Sequence, residues 1–235
     1  MRAIILAGGK GTRLLPYTTV LPKPLMPIGE QPILEVVIRQ LHHHGFKRIT
    51  LALGHLSHLI KAVLSNGHHL GVEVDYSIED QPLGTTGPLA LIKDLDETFL
   101  VMNGDILTDL NFRDPVEFHR DQGAAATIVV HRRTVKVDYG VLRREGFRLV
   151  NYDEKPSIEY EVSTGIYVFD RRILAHVQPY TFLDFPDLVR TLLQNKEKVV
   201  CYPYSGLWYD LGRKEDFESI TQKLDNLKPR IPFIG

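Results

Sequence analysis

Leu6-Ala7-Gly8-Gly9-Lys10-Gly11-Thr12-Arg13 is the stretch on which the reading of this chain turns. It follows a short apolar run, residues 2–6, that reads as a buried strand, and Pro16 stops any helix from growing out of it. Three glycines directly after a buried strand let backbone N–H groups come close to a row of oxyanions. Arg13 adds a forked guanidinium that matches phosphate oxygens. Two better-known glycine loops do not fit. A P-loop has Gly-Lys followed by Ser or Thr, whereas Lys10 is followed by Gly11. A dinucleotide fingerprint opens a helix within its glycines, whereas an irregular stretch follows here.

Working outward, apolar residues at helical spacing (Leu34, Val37, Ile38, Leu41) predict a helix opening at Pro32 and capped by Gly45. Residues 48–53 read as a strand, 56–63 as a helix and 72–76 as a strand. Pro88 opens a predicted helix with Leu89, Leu91 and Ile92, and 99–102 form a further strand ending in Asn103-Gly104-Asp105. Strands alternating with helices imply βαβ units and a mostly parallel sheet. Ligands on such sheets bind beyond the carboxyl ends of the strands, so the loops after the first, third and fourth strands should face one site. The second half reads differently. After a helix at 115–121, strands at 125–131, 140–144, 148–153 and 162–169 follow closely and predict an antiparallel extension. Helices at 185–194 and 214–224 flank a strand region at 199–209.

A second motif is Leu21-Pro22-Lys23-Pro24-Leu25, in which two prolines hold one lysine in extended backbone. Restraining a long side chain in this way suits an ammonium that must meet a fixed charge. The run from Leu6 to Pro27 resembles the signature of the sugar-1-phosphate nucleotidylyltransferases, Leu-Ala-Gly-Gly-x-Gly-Thr-Arg-Leu-x-Pro followed by Pro-Lys-Pro. Other segments match that family in order: Pro82 to Gly87 is similar to its nucleoside-contacting loop, and Asn103-Gly104-Asp105 to its metal-binding strand end. Glu154-Lys155-Pro156 resembles its sugar-phosphate segment, Gly165 to Phe169 the strand beside the sugar, and Trp208 to Gly212 its second metal-ligand segment. The likeness runs over residues 2–225.

The resemblance implies an α/β, Rossmann-like mixed sheet, mostly parallel and flanked by helices, with a smaller antiparallel sugar-binding extension. One nucleotidyltransferase domain spans 1–228, with a nucleotide half near 1–110, a sugar half near 111–228 and a tail at 229–235. The implied reaction joins a nucleoside triphosphate to a sugar 1-phosphate and releases pyrophosphate. In it a phosphate oxygen attacks the α-phosphorus in line, and positioning and charge neutralisation do most of the work. The implied catalytic set is Arg13, Lys23, Asp105, Lys155 and Asp210. Asp105 and Asp210 would hold Mg²⁺, whose preference is for hard oxygens. Arg13 would bind the leaving pyrophosphate, and Lys23 and Lys155 would neutralise the reacting phosphates. Nucleotide contacts fall on Leu6, Ala7, Gly8, Gly9, Gly11, Thr12, Arg13, Glu79, Gly84, Thr85 and Asp105. Sugar contacts fall on Asn103, Gly140, Glu154, Lys155, Ser163 and Trp208.

The base is read from Glu79, five residues before Gly84. The thymidylyl branch tends to carry Gln there; a carboxylate only accepts, which suits the adjacent N–H donors of guanine. The segment from Pro82 to Pro88 looks most like the mannose-1-phosphate guanylyltransferase branch, so GTP is favoured. Gln81 is the competing amide reader, favouring thymidine or uridine. Ser163 departs from the family's Asn, which leaves mannose, heptose and even non-sugar phosphorylated acceptors open. Two rivals are a catalytically silent nucleotide-sugar regulator and a glycosyltransferase. The five charged residues argue against the first, and the lack of Asp-x-Asp at Asp105-Ile106-Leu107 argues against the second.

The formal net charge of −1 gives no reason to expect a nucleic-acid or membrane partner. A single cysteine, Cys201, excludes an intrachain disulfide and is expected as a small buried filler in a cytoplasmic enzyme. The histidines at 42–44 point in different directions around a helix and make a poor metal site. The 235 residues are expected to leave no room for the C-terminal hexapeptide-repeat domain of longer relatives, so trimerisation by that route is not expected and a homo-oligomer by another route stays open.

Overall fold

The computed structural model describes residues 1–212 and 214–234. In chain order the strands and α-helices are β1 (Arg2–Leu6), β2 (Pro27–Ile28), β3 (Gln31–Pro32), α1 (Ile33–His43), β4 (Arg48–Leu53), α2 (Ser57–Leu64), β5 (Glu73–Ile78), β6 (Thr98–Asn103), β7 (Ile106–Thr108) and α3 (Arg113–Gln122). They continue with β8 (Ala126–Lys136), β9 (Val141–Glu145), β10 (Arg148–Asp153), β11 (Ser157–Asp170), α4 (Phe185–Gln194), β12 (Val199–Tyr204), β13 (Trp208–Asp210) and α5 (Lys214–Leu227).

Seven strands form one mixed sheet in the order β12-β8-β11-β6-β1-β4-β5. β6, β1, β4 and β5 run parallel, β12 runs parallel to β8, and β11 is antiparallel to both β6 and β8. Of the second-half strands, β8, β11 and β12 therefore join the main sheet, β13 pairs with the short β7, and the hairpin β9–β10 stands apart as an extension. Alternate side chains of the central strands feed two cores. Ala3, Ile5, Leu100 and Met102 pack on the α1 side, against Leu34, Val37, Ile38 and Leu41. Ile4, Phe99 and Val101 pack on the other, against Leu188 and Leu192 of α4. The four apolar α1 positions are fully buried. Each stabilises the fold by about 1.5–3 kcal/mol relative to an exposed side chain.

The predicted helix at Pro88 is only a 3-10 turn, Gly87–Leu91. Five residues offer too few backbone bonds to offset helix nucleation, and Leu89 is buried without needing an α-helix. Cys201 is exposed, contrary to expectation, because it lies on β12 at the sheet edge. The chain after α5 is packed down, with Ile231 and Ile234 buried in the α1-side core.

The two ends of the parallel strands differ in chemistry. At the amino end the buried Arg2 donates to Thr50 Oγ1 (2.6 Å), to both oxygens of Asp75 (3.0 and 3.1 Å) and to the Lys93 carbonyl (2.9 Å). That cluster satisfies itself and has a structural role. The carboxyl end carries the glycine loop and opens into a cleft.

Candidate active site

The cleft has a volume of about 760 Å³. The strand ends that build it are tied to one another. Ala7 N–H donates to the Ala52 carbonyl (2.9 Å), Gly104 N–H to the Leu6 carbonyl (3.0 Å) and His55 N–H to the Gly8 carbonyl (3.2 Å). The glycine loop then turns through Gly11, whose carbonyl accepts from Thr18 Oγ1 at 2.8 Å. Lys23 opens a 3-10 turn, Lys23–Leu25, and only Pro22 before it is extended. The proline pair holds the lysine at the start of a turn, not in an extended run as expected.

That turn delivers the Lys23 ammonium onto Asp105 Oδ2 in an ion pair with both side chains largely buried. Asp105 lies in the two-residue link between β6 and β7. Burial pushes its carboxyl well above the usual carboxylate range; Lys23 pulls it back, and the nearby Asp210 pushes it further up. Asp210 arrives by a route that no local pattern announces. The three-residue strands β7 and β13 pair antiparallel with Asp210 opposite Ile106, and Leu211 N–H donates to the Asp105 carbonyl at 3.0 Å. Gly212 N–H holds Asp210 Oδ1 at 2.9 Å, and Arg13 stands 4.0 Å from Asp210 Oδ2. Two hard oxygen donors and two cationic side chains thus meet beside the glycine loop.

The other end of the cleft is acidic. Glu79 Oε2 accepts from Leu83 N–H at 3.0 Å. Its Oε1 sits 2.7 Å from where a Cβ on Gly8 would stand and 2.9 Å from one on Gly54. Only glycine at 8 and 54 lets the carboxylate lie against both backbones. Burial raises the Glu79 carboxyl above its ordinary value, and the Leu83 N–H partly opposes this. Gln81 also lines the cleft.

The loop 82–87 is clamped by a segment from the far half of the chain. Asp184 stands at the N-cap of α4, yet its side chain makes no cap bond. Its Oδ1 accepts instead from Thr85 N–H (3.0 Å) and Thr85 Oγ1 (3.3 Å), while Thr85 Oγ1 accepts from Phe185 N–H (2.7 Å). A threonine distant in sequence caps α4, and the helix's own cap residue grips the threonine's loop. The Leu183 carbonyl takes Thr86 N–H and Gly87 N–H at 3.0 and 3.1 Å. Gly84 has φ +79°, and a Cβ there would stand 2.6 Å from that carbonyl, so no other residue fits without displacement. Asp184 and Phe182 both line the cleft. Sequence reasoning missed them because Asp184-Phe185-Pro186 reads as an ordinary helix start.

Leu6, Ala7, Gly8, Gly9, Gly11, Thr12, Arg13, Lys23, Glu79, Gly84, Thr85, Asn103 and Asp105 line this one cleft, as does Lys10. Gly140, Glu154, Lys155, Ser163 and Trp208 do not. Lys155 and Glu154 are exposed at the end of β10 with Nζ and Oε1 4.0 Å apart, and Tyr152 OH donates to Glu154 Oε2 at 2.8 Å. The Lys155 backbone is left-handed, φ +46°. Ser163 Oγ donates to Tyr167 OH at 3.1 Å. Trp208 Nε1 donates to the Thr164 carbonyl at 2.9 Å, and Arg133 stacks on the Trp208 ring at 4.8 Å.

The description of the nucleotidyl transferase family matches residues 2–226. This chain belongs to that family. A UTP–glucose-1-phosphate uridylyltransferase of Synechocystis sp. is 32% identical, over 92% of this chain and 61% of the relative. The mannose-1-phosphate guanylyltransferase catalytic subunit beta of Dictyostelium discoideum is 33% identical, over 99% of this chain and 67% of the relative. The chain thus spans about two thirds or less of the length of these nucleotidyl transferase relatives. Among solved structures, a putative glucose-1-phosphate thymidylyltransferase from Bacillus anthracis superposes with a TM-score of 0.75 at 26% identity, covering 94% of both chains. HddC from Yersinia pseudotuberculosis complexed with GMP-PN gives 0.72 at 25% identity, over 95% of this chain and 99% of that one. These neighbours share the mixed α/β fold described above. Among the described residues no helix is long and apolar enough to cross a membrane.

Proposed function

We propose that this nucleotidyl transferase moves a nucleoside monophosphate from a nucleoside triphosphate to a sugar 1-phosphate and releases pyrophosphate. The observation that carries the reading is the meeting of Lys23, Asp105, Asp210 and Arg13 beside the glycine loop. Two polyanions repel, and a site that joins them must supply positive charge where they meet. Lys23 meets the α-phosphate side and Arg13 the departing pyrophosphate, while the loop from Gly8 to Thr12 offers backbone N–H groups to the phosphate chain.

Asp105 and Asp210 fit a divalent cation, and we assign Mg²⁺. The described residues hold no group of three or more His, Cys, Asp or Glu side chains fit to bind a metal. Two carboxylates with the remaining positions left to phosphate and water is the way Mg²⁺ is ordinarily held. When bound, it supplies charge neutralisation on the phosphate oxygens. Lys23, paired with Asp105, opposes the push of burial on that carboxyl.

GTP is the favoured donor, since Glu79 lines the cleft and a carboxylate acceptor suits the donors of guanine. Likeness to a guanylyltransferase and to a structure holding GMP-PN supports this. UTP and dTTP, read by Gln81, form the second reading, favoured by likeness to uridylyl- and thymidylyltransferases. Mannose or heptose 1-phosphate is the acceptor class, with Asn103 in the cleft and Glu154, Lys155, Gly140, Ser163 and Trp208 engaging the sugar phosphate. The left-handed Lys155 is backbone strain of the kind concentrated at functional sites. A nucleotide half near 1–110 and a sugar half near 111–228, in the cytoplasm, complete the reading. The test is a grid of GTP, UTP, dTTP, CTP and ATP against several sugar 1-phosphates, read by pyrophosphate release. Release only with GTP is the expected result. No release with any pair would overturn the enzyme reading, and release with UTP or dTTP alone would reassign the base.

A further inference from the structure

The hairpin β9–β10 and its surroundings are the most exposed part of the molecule. All six residues of β10 are exposed, including Leu149, Val150 and Tyr152, each more than half accessible. β10 pairs with β9 alone, so its outer edge offers unpaired backbone N–H and C=O groups. Of the devices that blunt such an edge, β10 carries no lysine or proline, only Arg148 and Asp153 at its ends and a bulge between them. An isolated two-stranded hairpin is also marginal in water.

The register shows what fits this edge. A bulge at Val150 places Leu149 opposite Arg144 and Asn151 opposite Arg143. The extra residue shifts the alternation, so Leu149, Tyr152, Leu142 and Arg144 share one face of the hairpin, and Arg148, Asn151 and Asp153 share the other with Val141, Arg143 and Glu145. Arg148 and Asp153 would lie on opposite faces of a regular strand. With the bulge they face the same way, at equal distances from its centre.

We propose that β10 pairs antiparallel with β10 of a second copy of this chain, about a twofold axis normal to the hairpin. In that register Arg148 meets the partner's Asp153, Leu149 meets the partner's Tyr152, and each contact occurs twice. The product is a four-stranded antiparallel sheet with opposite charges paired on one face and, on the other, Leu149 and Tyr152 of the two copies in contact, flanked by Leu142 and Arg144 of each β9. β9 is the worse edge, because self-pairing centred on Arg143 sets that residue against its own copy. A six-residue edge falls short of a standard interface, so association is weak and dependent on concentration. Because Glu154 and Lys155 follow β10 directly, the pairing also steadies the segment that carries them.

Sedimentation velocity from about 1 to 200 μM brackets a micromolar equilibrium. It should show the 26.8-kDa chain passing to a species of twice that mass. Asp153→Arg alone and Arg148→Asp alone should each weaken dimerisation by roughly tenfold or more, since each sets two like charges together. The combined Arg148→Asp/Asp153→Arg variant should return to within about threefold of the parent. Backbone amides of β10 should exchange with deuterium more slowly at high than at low protein concentration, which checks the edge without any substitution. A chain that stays monomeric throughout overturns the proposal. So does a dimer indifferent to both reversals, a double variant that does not recover, or exchange in β10 that ignores concentration.

Discussion

The cleft at the carboxyl ends of β1, β4 and β6 and the arm formed by β9, β10 and the outer part of β11 are built on opposite terms. In the cleft the groups that carry the reading have partners of the chain's own: Lys23 with Asp105, Arg13 with Asp210, Glu79 with Leu83 N–H, and Asp184 with Thr85. The two core clusters pack beneath it and hold these groups in place. On the arm, Lys155 and Glu154 are exposed, with each other and the hydroxyl of exposed Tyr152 as neighbours. A group held by buried neighbours is preorganised, and its orientation does not have to be achieved at the moment of reaction. A group on an exposed hairpin must be ordered by what it binds. On the proposed function, the cleft is therefore ready before substrate arrives, whereas the arm takes its working shape from what it binds.

Four experiments sharpen or break that contrast. The largest effect is expected at the preorganised end. Asp105→Asn should lower kcat by about 10³-fold while circular dichroism stays near the parent, since the amide keeps the shape, with some loss of melting temperature from the unpaired Lys23; unchanged turnover would remove Asp105 from the machinery. Next, Lys155→Ala should raise KM for the sugar 1-phosphate by roughly 10-fold or more, the worth of a charged hydrogen bond. KM for the nucleotide and the melting temperature should hold, because an exposed side chain contributes little to stability. An equal rise in nucleotide KM would mean that the arm belongs to the nucleotide site.

Thr85→Val keeps the shape but leaves Phe185 N–H and Asp184 without a hydroxyl partner, at about 1 kcal/mol. Melting should fall by about 2–4 °C and nucleotide KM should rise, with kcat held; Thr85→Ser should restore both. Loss of kcat instead would place Thr85 in the chemistry. The smallest effect concerns pH. Burial raises the Glu79 carboxyl, so as pH falls it takes up a proton earlier than an ordinary glutamate would. Protonation removes an acceptor, so affinity for GTP should decline at a pH above the usual glutamate range, and Glu79→Gln should abolish that acid limb. The stability sign runs the other way: the folded state holds this proton more tightly than the unfolded one, so the contribution of Glu79 falls as pH rises through its folded value. An acid limb unchanged in Glu79→Gln would show that another group sets it.

The central strands and α1 were legible because their signal is local. Leu34, Val37, Ile38 and Leu41 mark one helix face, and the run at 48–53 is bounded by polar residues. β7 and β13 were not separately legible, since a three-residue strand carries no periodicity and forms only because its partner is there. The clasp between Thr85 and Asp184 was hidden for a related reason: a helix-start pattern was present, but the helix is capped from elsewhere.

By itself the sequence determined the chemistry of the glycine loop, the alternation that lays down a mostly parallel sheet and the charged residue types a nucleotidyl transferase needs. Those follow from backbone freedom and side-chain periodicity, which act over a few residues. The tertiary structure alone decided that Asp210 comes to Asp105 through a short strand pair, that Asp184 grips the Thr85 loop, and that Lys155 stands on an exposed arm outside the cleft. Contacts between segments far apart in the chain are chosen by the packing of the whole core, and no window of neighbouring residues contains that information.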